Sequence, residues 1–136
     1  SIGHYPISLY DKTGTRCSLD SVIARNKVTI LNFTSYDADQ SPAFNRELHD
    51  IYTRWHDRGV EIYQVGVAAD AASWRAAARP LPWVTVVNAP EDGTAVLSTY
   101  NVVNLPATFV INADGDITER VDDPANLSAA IIRSMK

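Results

Sequence analysis

Few residues in this chain offer a start for nucleophilic or acid–base chemistry. Cys17 is the only cysteine among 136 residues, which excludes an internal disulfide and any multi-cysteine metal site within them. A lone cysteine remote from a helix start reads as a small buried apolar side chain, because a reactive thiol needs an accessible, electropositive setting. The sharper reading makes Cys17 a one-thiol partner site or an intermolecular disulfide. His49 and His56 fall about 10 Å apart along a helix axis, too far to share one metal ion, and read as solvated helix-face residues. His4 is a third imidazole with no C-x-x-C or H-x-x-x-H company, so neither a metal nor a cofactor is expected. Asp37 and Asp39 resemble an acid–base pair, but acidic residues just ahead of a helix are already favoured by its dipole, by ~0.3–1 kcal/mol. Ser41 reads as the N-cap of that helix, with Pro42 at its first position. Trp55, Trp74 and Trp83 read as core and rim rather than a ligand cage, with Trp74 and Trp83 placed in a segment that shapes a surface.

These residues are positioned by a regular order of elements. Ile7 to Tyr10 and Arg16 to Leu19 flank Asp11-Lys12-Thr13-Gly14, a hairpin whose turn uses the positive φ open to glycine. Lys27 to Phe33 (KVTILNF) is β-branched and almost continuously apolar, as a central strand buried on both faces should be. Phe44, Leu48, Ile51 and Trp55 share one face of a helix from about Pro42 to His56, stopped at Gly59. Val60 to Ala68 is the next strand and closes a right-handed βαβ unit. Asp70 caps a short alanine-rich helix through Ala78, and Pro80 and Pro82 end it before a brief strand at Val84 to Val87. A short helix follows over Thr94 to Tyr100. Thr108 to Ile111 and Ile117 to Val121 then flank Asp114-Gly115, a hairpin dipeptide, and Pro124 to Ile132 has the spacing of a closing helix.

The bulk properties bound the function classes. With 46% hydrophobic residues, the chain holds one packed core and is too short for two ordinary domains. We expect a single domain over 1–136: a hairpin extension over 1–26, then a core over 27–135 with an insertion at about 70–90. The net charge is −4 and no run of lysines and arginines occurs, so neither nucleic acid nor an anionic membrane is an expected partner. The longest apolar runs are strand-sized, so no membrane insertion by this domain is expected. No charged-then-apolar leader opens the sequence, and a targeting segment is expected to be absent or already removed.

The order of elements resembles the thioredoxin core with the insertion found in TlpA/ResA-like thiol-disulfide oxidoreductases, loosely grouped with AhpC/TSA proteins. The residues carry the resemblance too. Lys27 to Phe33, Glu47-Leu48 and Arg58-Gly59-Val60-Glu61-Ile62 are similar to that family's strand, active-site helix and next strand. Asn104 to Gly115 (NLPATFVINADG) is similar to its segment around a cis-proline and the following hairpin. The resemblance implies an α/β thioredoxin-like fold, with a mixed central sheet flanked by helices, an N-terminal hairpin and an inserted helix and strand. It also implies a bacterial periplasmic or envelope setting.

Counting from Asn32-Phe33, the family's two redox cysteines fall on Ala38 and Ser41, so the motif stands here as Ala38-Asp39-Gln40-Ser41. Thiol–disulfide exchange needs a thiolate of lowered pKa at a helix start and a second thiol to release the mixed disulfide. Alanine has no nucleophilic atom, and a serine hydroxyl cannot form a disulfide. Asn32 takes the strand position where classical thioredoxins hold a buried carboxylate base, and offers no proton acceptor of useful pKa. The expected function is a redox-inactive binding or interaction domain; the alternative is an oxidoreductase using Cys17 or a cysteine outside these residues, and a third reading is a structural spacer. In the resembling family an extended substrate pairs with the backbone before the cis-proline. The matching groove here runs from Tyr36, Asp37, Asp39 and Gln40 to Leu105 and Pro106, expected to take an extended peptide or partner protein of basic or neutral character, with Tyr36 filling it as the competing expectation.

Overall fold

The computed structural model describes residues 2–36 and 41–135, and for Ser41 the backbone alone. Its centre is β4 (Val28–Thr34), seven residues buried without exception, as a strand covered on both faces requires. From β4 the chain passes into α2 (Ser41–Trp55) and returns through β5 (Val60–Val67), parallel to β4. Phe44, Leu48, Ile51 and Trp55 are all buried, as their helical spacing predicts. A 3-10 turn over His56–Arg58 ends at Gly59, whose φ of 92° is the left-handed stop foreseen there.

α3 (Ala71–Ala78) begins as expected at Asp70, whose carboxylate accepts the Ala72 N–H, and leads to β6 (Val84–Asn88), parallel to β5. α4 (Ala95–Thr99) precedes β7 (Ala107–Asn112), antiparallel to β4. β8 (Asp116–Arg120) then turns back on β7 through Asp114-Gly115, with Gly115 at φ 86°. A 3-10 turn at Pro124–Asn126 opens into α5 (Leu127–Ser134), the closing helix.

The N-terminal hairpin of β2 (Ser8–Asp11) and β3 (Arg16–Ser18) forms as read, with Gly14 at φ 81°, and β2 joins β6 antiparallel. Two elements were not foreseen. Ile2–Gly3 form β1, an edge strand on β8, and the second hairpin strand stops at Ser18 because Leu19 starts α1 (Leu19–Ile23), with the Ser18 hydroxyl accepting the Ser21 N–H. The result is one mixed sheet in the order β1-β8-β7-β4-β5-β6-β2-β3.

Alternation along the strands sorts the core onto two faces. Val28, Ile30, Val60, Ile62 and Val110 pack under α2 and α5. Leu31, Phe33, Tyr63, Val65 and Phe109 pack on the other face, against α1. The expectation that Trp74 and Trp83 shape a surface is corrected: they are 2% and 3% exposed. Trp74 sinks because Gly66 on β5 has no side chain, and a Cβ there would stand 2.4 Å from Trp74 Cδ1.

Candidate functional site

The carboxyl ends of the parallel strands β4 and β5, and the start of β7, meet at one rim of the sheet. Of the residues assigned to the groove, Asp37, Ala38, Asp39 and Gln40 lie outside the described residues, as does the side chain of Ser41 with its proposed cap. Tyr36, Leu105 and Pro106 are placed. The Leu105–Pro106 bond is cis. Leu105 is half-buried, and its backbone N–H and C=O make no hydrogen bond among the described residues. Val103 beside it is 81% exposed. Tyr36 and Leu105 are not brought together in one cluster: Tyr36 packs with α2 and α3, and Leu105 on the opposite face.

Beneath this rim lies a buried layer of amides that no sequence motif announces. Gln64 Nε2 donates to Asn32 Oδ1 at 2.9 Å and to Asn45 Oδ1 at 3.0 Å. Its Oε1 accepts from Trp83 Nε1 at 2.9 Å and from the Tyr36 hydroxyl at 2.7 Å. Asn32 Nδ2 in turn donates to Thr108 Oγ1 at 3.0 Å. Gln64 and Asn32 are fully buried, and Gln64 makes all four bonds its amide can hold in this setting. Burial also raises the Tyr36 hydroxyl above its ordinary value, so it stays a neutral donor. The interior under the rim is therefore held together by neutral groups, with Asn32 at its base. The only signal in the sequence was a polar residue at positions 32 and 64, each inside an apolar strand.

The remaining candidates sit elsewhere. Cys17 is half-buried on β3, the edge strand four places from β4, and burial pushes its thiol up. His49 is exposed with its ring 4.8 Å from that of Trp83, and His56 stacks on Tyr52 at 4.4 Å between centroids and lies 3.6 Å from Glu61. His4 Nδ1 contacts the Gly115 carbonyl at 2.7 Å while Nε2 contacts the Asp20 carboxylate. Among the described residues no three of His, Cys, Asp and Glu are grouped to hold a metal ion, and no helix is long and apolar enough to cross a membrane.

Comparison with known proteins follows the same lines. Residues 26–117 match the family model described as Thioredoxin-like. An uncharacterized thioredoxin-like protein from Bacteroides vulgatus is 33% identical, with a TM-score of 0.84 over 96% of this chain and 85% of its own. A thiol:disulfide interchange protein from Bacteroides sp. has a TM-score of 0.85 at 20% identity, covering 98% of this chain and 89% of that one. A thiol-disulfide oxidoreductase from Bacteroides fragilis has a TM-score of 0.85 at 20% identity, covering 96% and 98%. No curated protein sequence matches the chain.

Proposed function

The chain belongs to the thioredoxin-like family, and from that premise we propose that it is a redox-inactive member retained as a binding domain for an extended peptide or partner protein. One observation carries the reading: the positions that the family resemblance gives to the redox pair hold Ala38 and Ser41, and the chain's one cysteine is Cys17. The rival reading, an oxidoreductase using Cys17 or a cysteine outside these residues, gains little support from a thiol that burial pushes up on a distant edge strand. The neutral amide layer of Asn32 and Gln64 also favours the binding role, because it holds the rim in place without offering a proton acceptor.

The binding surface of this reading is the rim from Tyr36 through Asp37, Asp39 and Gln40 to Leu105 and Pro106. The open N–H and C=O of Leu105 are suited to pair with an added strand, and main-chain pairing of this kind recognises an extended segment whatever its side chains. Two aspartates on the rim and a net charge of −4 favour basic or neutral segments. The family resemblance assigns the domain to the periplasm or cell envelope, as one unit over 1–136 with 1–26 as extension. The test is NMR titration with a set of extended peptides. Shifts clustering at residues 36–41 and 104–107 are expected; no shifts with any peptide would leave only a spacer role.

A further inference from the structure

Next to Tyr36, away from Leu105, the structure holds an open pocket of about 160 Å³ between the end of β5 and α3, with Ala69, Asp70, Ser73 and Ala77 exposed around it. That is near the ~150 Å³ known to admit a benzene-sized group. Tyr36, Ala68, Ala69, Ala77, the buried Trp74 and Asp70 are among its lining residues. The sequence explains the shape. Gly66 lets the Trp74 indole pack directly against β5, and three alanines leave space where larger side chains would close it. Tyr36 cannot swing in to fill the cavity while its hydroxyl is held by Gln64 at 2.7 Å.

The charge at this cavity is one-sided. Asp70 Oδ2 accepts the Ser73 hydroxyl at 2.8 Å and Oδ1 the Ala72 N–H at 3.0 Å, yet no lysine, arginine or histidine pairs with it among the described residues. The Ser73 and Ala72 bonds hold the carboxyl below its usual range, so it is ionised at neutral pH. Each carboxylate oxygen keeps a lone pair for a further donor.

We propose that this cavity is a side-chain pocket for a single lysine of the bound segment, its aliphatic stem lying against Tyr36 and the alanines and its ammonium meeting Asp70. A lysine carries an apolar stem ending in a compact charge, which matches a pocket lined by Tyr36 and alanines with one carboxylate among its lining residues. The assignment rests on the peptide-binding reading and adds to it which residue is chosen, and where.

The test uses the ¹⁵N-labelled chain titrated with capped Gly-Lys-Gly and with the same tripeptide carrying norleucine, which keeps the stem and lacks the charge. The Trp74 indole N–H and the amides of residues 67–77 report the pocket, and those of 104–107 report the groove. We expect the lysine peptide to shift the pocket signals, and norleucine to do so more weakly. Asp70→Asn, which retains a capping oxygen, should weaken lysine binding about two- to five-fold, the range of an exposed ion pair. Ala77→Leu on the exposed face of α3 should abolish it by filling the space. Equal shifts from lysine and norleucine, or no loss in Asp70→Asn, would overturn the pocket. Shifts confined to 104–107 would overturn it and leave the groove standing; pocket shifts without groove shifts would do the reverse; no shifts at all would overturn both.

Discussion

At the scale of single residues, Gln64 does more than any other described side chain to organise the rim. Replacing it with leucine keeps the volume but leaves Asn32 Oδ1, Asn45 Oδ1, the Trp83 N–H and the Tyr36 hydroxyl to find new partners. Each buried group left unpaired costs about 1–3 kcal/mol, so Gln64→Leu should lose at least about 3 kcal/mol in urea unfolding. A loss under about 1 kcal/mol would mean that the layer is not a connected network. His4 gives the chain a pH dependence. Burial opposes its charge, but Asp20, the Gly115 carbonyl and Asp116 outweigh that and hold it above its ordinary value. A neutral imidazole carries one N–H and cannot donate to both acceptors. The resulting stability is whole below about pH 6.5 and is lost as pH rises through the raised folded-state value. Comparing wild type with His4→Gln, the difference in unfolding free energy should be larger at pH 5.5 than at pH 9; an equal difference at both would contradict the protonated clamp.

At the scale of elements, α3 depends on contacts from distant parts of the chain. Lys12, in the N-terminal hairpin turn, donates from Nζ to the carbonyls of Ala78, Arg79 and Leu81 at 2.9–3.1 Å, satisfying the end of the helix. Gly66 receives the Trp74 indole from the other side. Gly66→Ala should force Trp74 off the strand and destabilise the domain by about 1–3 kcal/mol, with a red shift in tryptophan fluorescence. An unchanged spectrum would show that the indole does not need the glycine. The start of α3 was legible because a cap speaks through neighbours: Asp70 followed by an alanine-rich run is a local signal. Its burial was not, because the partners of Trp74 and Lys12 lie far along the chain. α1 and β1 escaped notice for another reason. Five residues and two residues are too few to show a period, and Ile2–Gly3 becomes a strand only because β8 runs beside it.

At the scale of the whole molecule, the sheet order follows from sequence features that are strong and regular: a seven-residue buried strand, an amphipathic fifteen-residue helix and an Asp-Gly hairpin. Those features are local in sequence, and together they specify the thioredoxin-like architecture. The site was readable only in part. Ala38 and Ser41 stand where the family resemblance places a redox pair, whereas the amide layer and the pocket beside α3 arise from side chains that meet across the fold. The domain belongs to the thioredoxin-like family, and the proposed function holds that it carries no redox pair. Insulin reduction by dithiothreitol measures that claim directly. The wild-type domain should add nothing to the rate with dithiothreitol alone, and Ala38→Cys combined with Ser41→Cys should accelerate it, since exchange needs a pair of thiols. Acceleration by the wild-type domain that disappears in Cys17→Ala would contradict the account and make Cys17 the working thiol.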